Sequence, residues 1–187
     1  MEMPTPPLPN HDIYIAIDPA AGGPASNYVL VSFQHSNENV TVVGTEVAPG
    51  CIEPNGQHLL VDEHIAKLRE APDRAGSRVV LLVKRNLGFE AEHHQRALSH
   101  IPNTVFQCDV EAGRVGILAT ESVQHAATEL FDVMLQEKRL TVLSHTRSES
   151  SEEPLTRLLE QDEIVSTLRL GIYASIKFIA QTLASDA

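Results

Sequence analysis

The sequence predicts an α/β fold in which a central mixed β-sheet of about five strands, the first three antiparallel, is flanked by helices. Three observations carry this. Two strand-length runs, IYIAI at 13–17 and VVLLV at 79–83, are apolar throughout, the mark of strands covered on both faces. Two further strand-like segments follow the first run closely, and connections that short require antiparallel neighbours. Beyond them, segments with apolar residues at steps of three and four alternate with short extended pieces.

In order, residues 12–18 (DIYIAID) form the first strand, ended by the Gly/Pro-rich turn PAAGGPAS. Strands at 28–33 (YVLVSF) and 40–47 (VTVVGTEV) are joined by a polar turn at 35–39. After an Asn55-Gly56 turn, Val61, Ile65 and Leu68 recur at helical spacing until Ala71-Pro72, and the trio Asp62-Glu63-His64 on that helix is expected to face water. A strand at 78–83 leads to a helix over 88–100 with Ala91, His94, Leu98 and Ile101 along one side, stopped by Pro102. His94 reads there as a partly buried, hydrogen-bonded histidine, because its neighbour His93 points about 100° away and the two cannot easily share an ion. A short strand at 104–108 and a glycine-containing surface loop at 109–117 come next. Thr120 then caps a helix whose stripe is Val123, Ala127, Leu130, Phe131 and Met134. A short extended piece at 139–144 and a polar loop at 147–153 (RSESSEE) precede the last helix. That helix runs over 162–183 with Ile164, Leu168, Ile172, Ile176, Ile179 and Leu183 at steps of three and four.

Composition bounds the function. With 187 residues, 42% of them hydrophobic, the chain can bury one sizeable core, and one domain over 12–187 is expected. The proline-rich segment 1–11 reads as an extended lead-in or linker. No run of eighteen apolar residues and no basic-then-apolar leader is present, so neither a membrane span nor export is expected. Cys51 and Cys108 lack CxxC partners, which removes a cysteine zinc cluster or a disulfide framework and points to a reducing compartment. Fourteen Lys and Arg against 25 Asp and Glu give a formal net charge of −11, so any DNA contact must be local or shared.

Neither a P-loop nor a dinucleotide fingerprint occurs, and a G-x-S-x-G elbow is absent too. Asp18 ends a buried strand, where even an uncharged polar group without a partner costs about 2–7 kcal/mol. It is either the cap of the turn before Pro19 or a metal ligand, and as a ligand it needs companion carboxylates. Asp162 and Glu163 open the last helix, where the helix dipole favours acids in any case, so spacing alone leaves both readings open.

Four blocks in order, IAIDPAAGG-PASNYVLVS, VVLLVKRNLGFEAEHH, GILATESVQHAATELFDVML and QDEIVSTLRLGIYAS, resemble the nuclease domain of the large terminase subunit of tailed phages and herpes-type viruses over residues 13–175. The resemblance implies an RNase H-like fold, related to Holliday-junction resolvases and integrases. It implies cutting of concatemeric viral DNA during packaging by two-metal phosphodiester hydrolysis, with Mg²⁺ or Mn²⁺ held by acidic side chains. The implied partners are double-stranded DNA, the ATPase portion or other terminase subunits, and the portal or capsid, with no membrane. The implied compartment is the host nucleus for a herpes-type virus or the bacterial cytoplasm for a phage.

Position by position, Asp18 matches the first-strand metal ligand and Asp162 the acid at the start of the last helix, with Glu163 beside it as the alternative ligand. The pattern then departs: Lys84, in VKRN, stands where the family has Glu, and Asn27, in Ser26-Asn27, where a second acid often follows. Arg85, Asn86 and Arg96 are the nearby groups expected to meet DNA. Two divalent ions about 3.5–4 Å apart need several carboxylates, and an ammonium among them adds repulsion. Lys84, near Asp18 and Asp162, is therefore expected to make a buried or half-buried ion pair at the sheet edge in place of a metal, with Glu90 as a replacement ligand only if the chain turned it back into the site. Two other readings stay open: an inactive relative kept as a docking module, and an RNase H-like nuclease unconnected with packaging.

Overall fold

Alternation along the apolar strands decides the architecture, because it gives the sheet two apolar faces that both need cover. In the computed structural model, residues 12–19, 26–36, 38–50, 54–85, 89–109, 112–143 and 152–185 are described. The proline-rich lead-in, most of the PAAGGPAS turn, Cys51, Asn86 and the greater part of the RSESSEE loop lie outside them. The elements in order are β1 (Ile13–Asp18), β2 (Asn27–Ser36), β3 (Asn39–Pro49), α1 (Pro54–Arg69), β4 (Val79–Arg85), α2 (Glu90–Leu98), β5 (Thr104–Phe106), β6 (Cys108–Asp109), β7 (Arg114–Val115), β8 (Ile117–Leu118), α3 (Glu121–Gln136), β9 (Leu140–Val142), α4 (Glu152–Leu159) and α5 (Asp162–Ser185).

The main sheet runs β5-β4-β1-β2-β3-β9, and β8 continues the edge of β4 beyond β5. β1, β2 and β3 pair antiparallel as expected, whereas β4 on β1, β5 on β4 and β9 on β3 are parallel. Tyr14 and Ala16 of β1 join Val29, Val31, Phe33, Val80 and Leu82 in a core with Phe131 and Met134 of α3, Leu158 of α4 and Leu168 of α5. Ile13, Ile15 and Ile17 point the other way, with Tyr28, Leu30, Val79, Leu81 and Val83, into a core closed by Val61 and Ile65 of α1 and Ala91 and Leu98 of α2. A three-layer α/β/α arrangement results. α5 lies so close to β1 that a Cβ on Gly171 would sit 2.5 Å from the Ala16 Cβ. Gly116 has φ +86° and backs onto Ala91 and the Val83 carbonyl, so no other residue fits between β7 and β8.

The main sheet has seven strands rather than about five, because the extended piece expected at 139–144 pairs with β3 as β9 and the expected loop at 109–117 runs into β8; the same loop also holds the β6–β7 hairpin, a separate two-stranded sheet. Two-residue strands carry no readable alternation. Asn55-Gly56, expected as a turn, falls in the first turn of α1. His64, expected to face water, is only 4% exposed. α4 was not expected: eight residues are too few to be stable alone, and it is held by Leu155 and Leu158 packing on the core. The stripe along α5 continues past the sheet, leaving Ile176 and Leu183 exposed.

Candidate active site

Strand parity and register bring Asp18 and Lys84 together. β1 and β4 run parallel with Ile17 opposite Val83, so the next pair along the two strands is Asp18 and Lys84. Both share parity with Ala16 and Leu82 and therefore face α5. The Lys84 Nζ donates to Asp18 Oδ2 at 2.7 Å, and the two side chains are 25% and 22% exposed. Asn27 starts β2 on the same face, shares parity with Val29, and donates from Nδ2 to Glu163 Oε2 at 2.7 Å. The first turn of α5 thus reaches the sheet end through Glu163. Asp162 is exposed and makes no side-chain hydrogen bond or ion pair among the described residues.

The expected DNA contacts separate. Arg85 has the opposite parity from Lys84, is 5% exposed, and reaches Asp109 Oδ2 at 3.4 Å under the β6–β7 hairpin. Lys84 and Arg85 therefore face opposite sides of the sheet, as the two-residue period of a strand requires. Arg96 is exposed on α2, across the sheet from Asp18, and Asn86 lies outside the described residues. Glu90 opens α2, on the layer opposite α5, which leaves it no route to Asp18.

A cavity of about 200 Å³ adjoins the ion pair, with Asp18 and Lys84 on its sheet side and Gln124, Thr128, Ser166 and Arg169 from α3 and α5 on its walls. The Arg169 guanidinium lies over the Phe131 ring, 5.2 Å from its centroid, and its Nε is shielded from solvent without a hydrogen-bond partner among the described residues. These wall residues carry no sequence motif. α3 and α5 supply them only once both helices have docked.

Whether this donor set suits a two-metal centre can be judged from its chemistry. Asp18 is already bound to an ammonium, Glu163 accepts from Asn27, and among the described residues no three His, Cys, Asp or Glu side chains converge as ligands. The residues present do not fit two divalent ions, which need several uncommitted carboxylate oxygens.

A second polar cluster is structural. Ser32 is fully buried and donates to the Gly44 carbonyl at 3.0 Å, so its single proton is used. The His64 Nε2, 3.1 Å away, must then donate to Ser32 Oγ, while Nδ1 stands 3.8 Å from Glu46. Burial holds the His64 pKa below its usual value, against the opposing pull of Glu46. A serine that accepts a hydrogen bond from its histidine, gives its own proton to a carbonyl and shows no surface is not set up as a nucleophile.

No protein-family model matches the sequence, and no curated protein matches it. Solved structures do. The human cytomegalovirus terminase nuclease domain superposes with a TM-score of 0.60 at 13% identity, over 90% of this chain and 86% of that one. A manganese-soaked, inhibitor-bound form of it gives 0.60 at 15% identity, over 87% and 81%. The manganese-bound nuclease domain of the large terminase g2p from bacteriophage SPP1 gives 0.50 at 13%, over 89% and 86%. Likeness at such identities establishes the fold: this chain has the RNase H-like fold of terminase nuclease domains.

Proposed function

We propose that this chain is a terminase-type nuclease-fold domain of a viral DNA-packaging apparatus that engages DNA and neighbouring subunits without cutting DNA through two metals. The observation that carries the reading is the 2.7 Å pair between Lys84 and Asp18. One unit-charge interaction at ~4 Å is worth roughly 4 kcal/mol at an effective dielectric near 20, before desolvation losses. A divalent ion arriving at Asp18 would have to displace that ammonium and would meet its repulsion if it stayed. The structural relatives with manganese come from a herpesvirus and a phage, which supports a packaging context, with duplex DNA and an ATPase portion as partners.

Lys84→Glu tests this, because it changes the site by two charge units. The parent should leave supercoiled plasmid intact with Mn²⁺, and its melting temperature should hardly respond to the ion. Lys84→Glu should melt lower than the parent without metal and gain more from Mn²⁺, since binding to the native state alone stabilises it. If the remaining acids suffice, it should also nick plasmid in a way that Asp18→Asn abolishes. Robust Mn²⁺-dependent cleavage by the parent, lost in Asp18→Asn, would overturn the proposal.

A further inference from the structure

We infer that the cavity beside the Asp18–Lys84 pair is a metal-independent seat for one phosphate of a DNA backbone, with Arg169 and Lys84 as its cations. The inference rests on the reading of this site as one that does without metal. Size comes first: about 200 Å³ is below the roughly 300–1,000 Å³ of pockets that enclose drug-sized ligands, so it suits a charged group on a longer molecule rather than a whole nucleotide. Charge comes second. Lys84 and Arg169 outweigh Asp18 by one positive unit in a chain whose formal net charge is −11, so the cavity is a local exception on an acidic surface. The acids that limit its affinity are Asp162 and Glu163, in the first turn of α5, and Glu163 is turned to Asn27.

The third argument is the state of Arg169. Its guanidinium is held over Phe131, a fully buried ring, so the planar fork is oriented before any ligand arrives. Its Nε is out of contact with solvent and has no acceptor among the described residues, so the head group is held by packing on the ring rather than by a hydrogen bond. Because Nε is closed to a water-sized atom, an oxyanion in the cavity would accept from the terminal N–H groups of the guanidinium, the pairing by which arginine meets phosphate oxygens. The wall around it is tied in place: Thr128 donates to the Gln124 carbonyl at 2.9 Å, and the Gln124 amide to the Ala119 carbonyl at 2.9 Å. Ser166, exposed on α5, adds a hydroxyl at the same wall. Lys84 keeps two further N–H donors beyond the one given to Asp18.

The test is carried out on the whole chain in EDTA, with a short random-sequence duplex as the probe and inorganic phosphate in a parallel titration. The Arg169 Nε–H resonance in a ¹H–¹⁵N spectrum should shift as duplex is added. Arg169→Gln should weaken duplex binding at low salt about tenfold, with a log-affinity against log-salt slope shallower by about one, as for one lost phosphate contact. Arg169 also packs on the core, so Ser166→Glu serves as a second variant. It adds a carboxylate at the cavity wall on an exposed helical position, leaves the packing alone, and should weaken binding at least as much. An Nε–H signal unmoved by duplex, or affinity unchanged in Ser166→Glu, would overturn the inference. So would a shift produced by inorganic phosphate but not by duplex, or binding that requires Mn²⁺. None of these outcomes touches the non-cutting reading, which stands or falls on cleavage by the parent.

Discussion

His94 ties α2 to the sheet through Nε2, while Nδ1 bonds back to the first residue of its own helix. Its Nδ1 lies 2.7 Å from the Glu90 carbonyl, which can only accept, so Nδ1 carries the proton and Nε2 accepts the Tyr28 hydroxyl at 2.7 Å. Burial lowers its pKa from 6.5 to about 4, partly opposed by the hydrogen bond to the Glu90 carbonyl. His35 is lowered to about 4 as well, by burial and then by Arg139. Because the folded value lies below the unfolded one, the unfolded chain takes up protons first as the pH drops. The stability linked to a neutral His94 is therefore whole above about pH 6.5, declines from there towards pH 4, and changes little below. A shift of that size corresponds to a loss on the order of 3 kcal/mol once complete. Urea unfolding at pH 7, 6 and 5 should show this decline, and His94→Gln, which can still accept from Tyr28 but cannot titrate, should make it shallower. An unchanged slope in that variant would place the proton uptake elsewhere. Lys84 shows the same dependence of chemistry on setting: on a bare surface its pair with Asp18 would be worth little, but at a half-buried sheet end it commits the carboxylate.

α5 is the element on which the site depends, because it supplies Ser166, Arg169 and Glu163 and its distance from the sheet sets the cavity. That distance is set at Gly171, where an added Cβ would stand 2.5 Å from Ala16 Cβ and 3.1 Å from Phe33 Cε1. Intrinsic propensity favours Ala over Gly in a helix interior by up to ~1 kcal/mol. Against this, overpacking a well-filled core costs about 1–3 kcal/mol, and Ala16 is on a central strand that cannot retreat. Gly171→Ala should therefore lower stability despite its better propensity, measured as a lower urea midpoint. A variant as stable as the parent or more so would mean that α5 can lift from β1 at little cost. The start of α3 is fixed by local chemistry, Thr120 Oγ1 accepting from the Val123 N–H, while Phe131 and Met134 hold the rest of the helix to the core.

At the scale of the molecule, the formal charge of −11 opposes the phosphate backbone everywhere except at local groups. Arg85 is turned inward and Arg139 is occupied by Glu38 and Glu137, which reduces the basic surface further. Random duplex should consequently bind weakly, no tighter than the ~10⁻⁶–10⁻⁴ M usual for non-specific contacts at physiological salt, and more weakly as salt rises. Fluorescence anisotropy with labelled duplex checks this; sub-micromolar affinity at that ionic strength would show that the charge argument fails. A domain with this balance is suited to act beside a more basic partner that holds the DNA, in keeping with the packaging role proposed above.

What the sequence determines by itself is the set of elements whose pattern is long enough to read. β1, β4 and α5 are explicit in apolar runs and in steps of three and four, and from them the layered α/β class follows. The exchange of the expected Glu for Lys84 was readable too, and with it the expectation of an ion pair, because charge is a property of residue type. Tertiary structure decided between Asp18 and Asp162 as the partner, and it decided the surroundings. Lys84 meets Asp18 because β1 and β4 align Ile17 with Val83 across a stretch of chain that no local pattern spans. The short strands β6 to β8 and the helix α4 exist only by pairing and packing on elements already formed, so their segments read as loop. His64 looked like part of a solvent face, yet Ser32 draws it under the sheet. The cavity walls, Gln124, Thr128, Ser166 and Arg169, belong to two helices whose periodicity shows which residues turn inward but not what they turn towards. Periodicity records burial, whereas a site is made by register and docking between segments far apart in the chain.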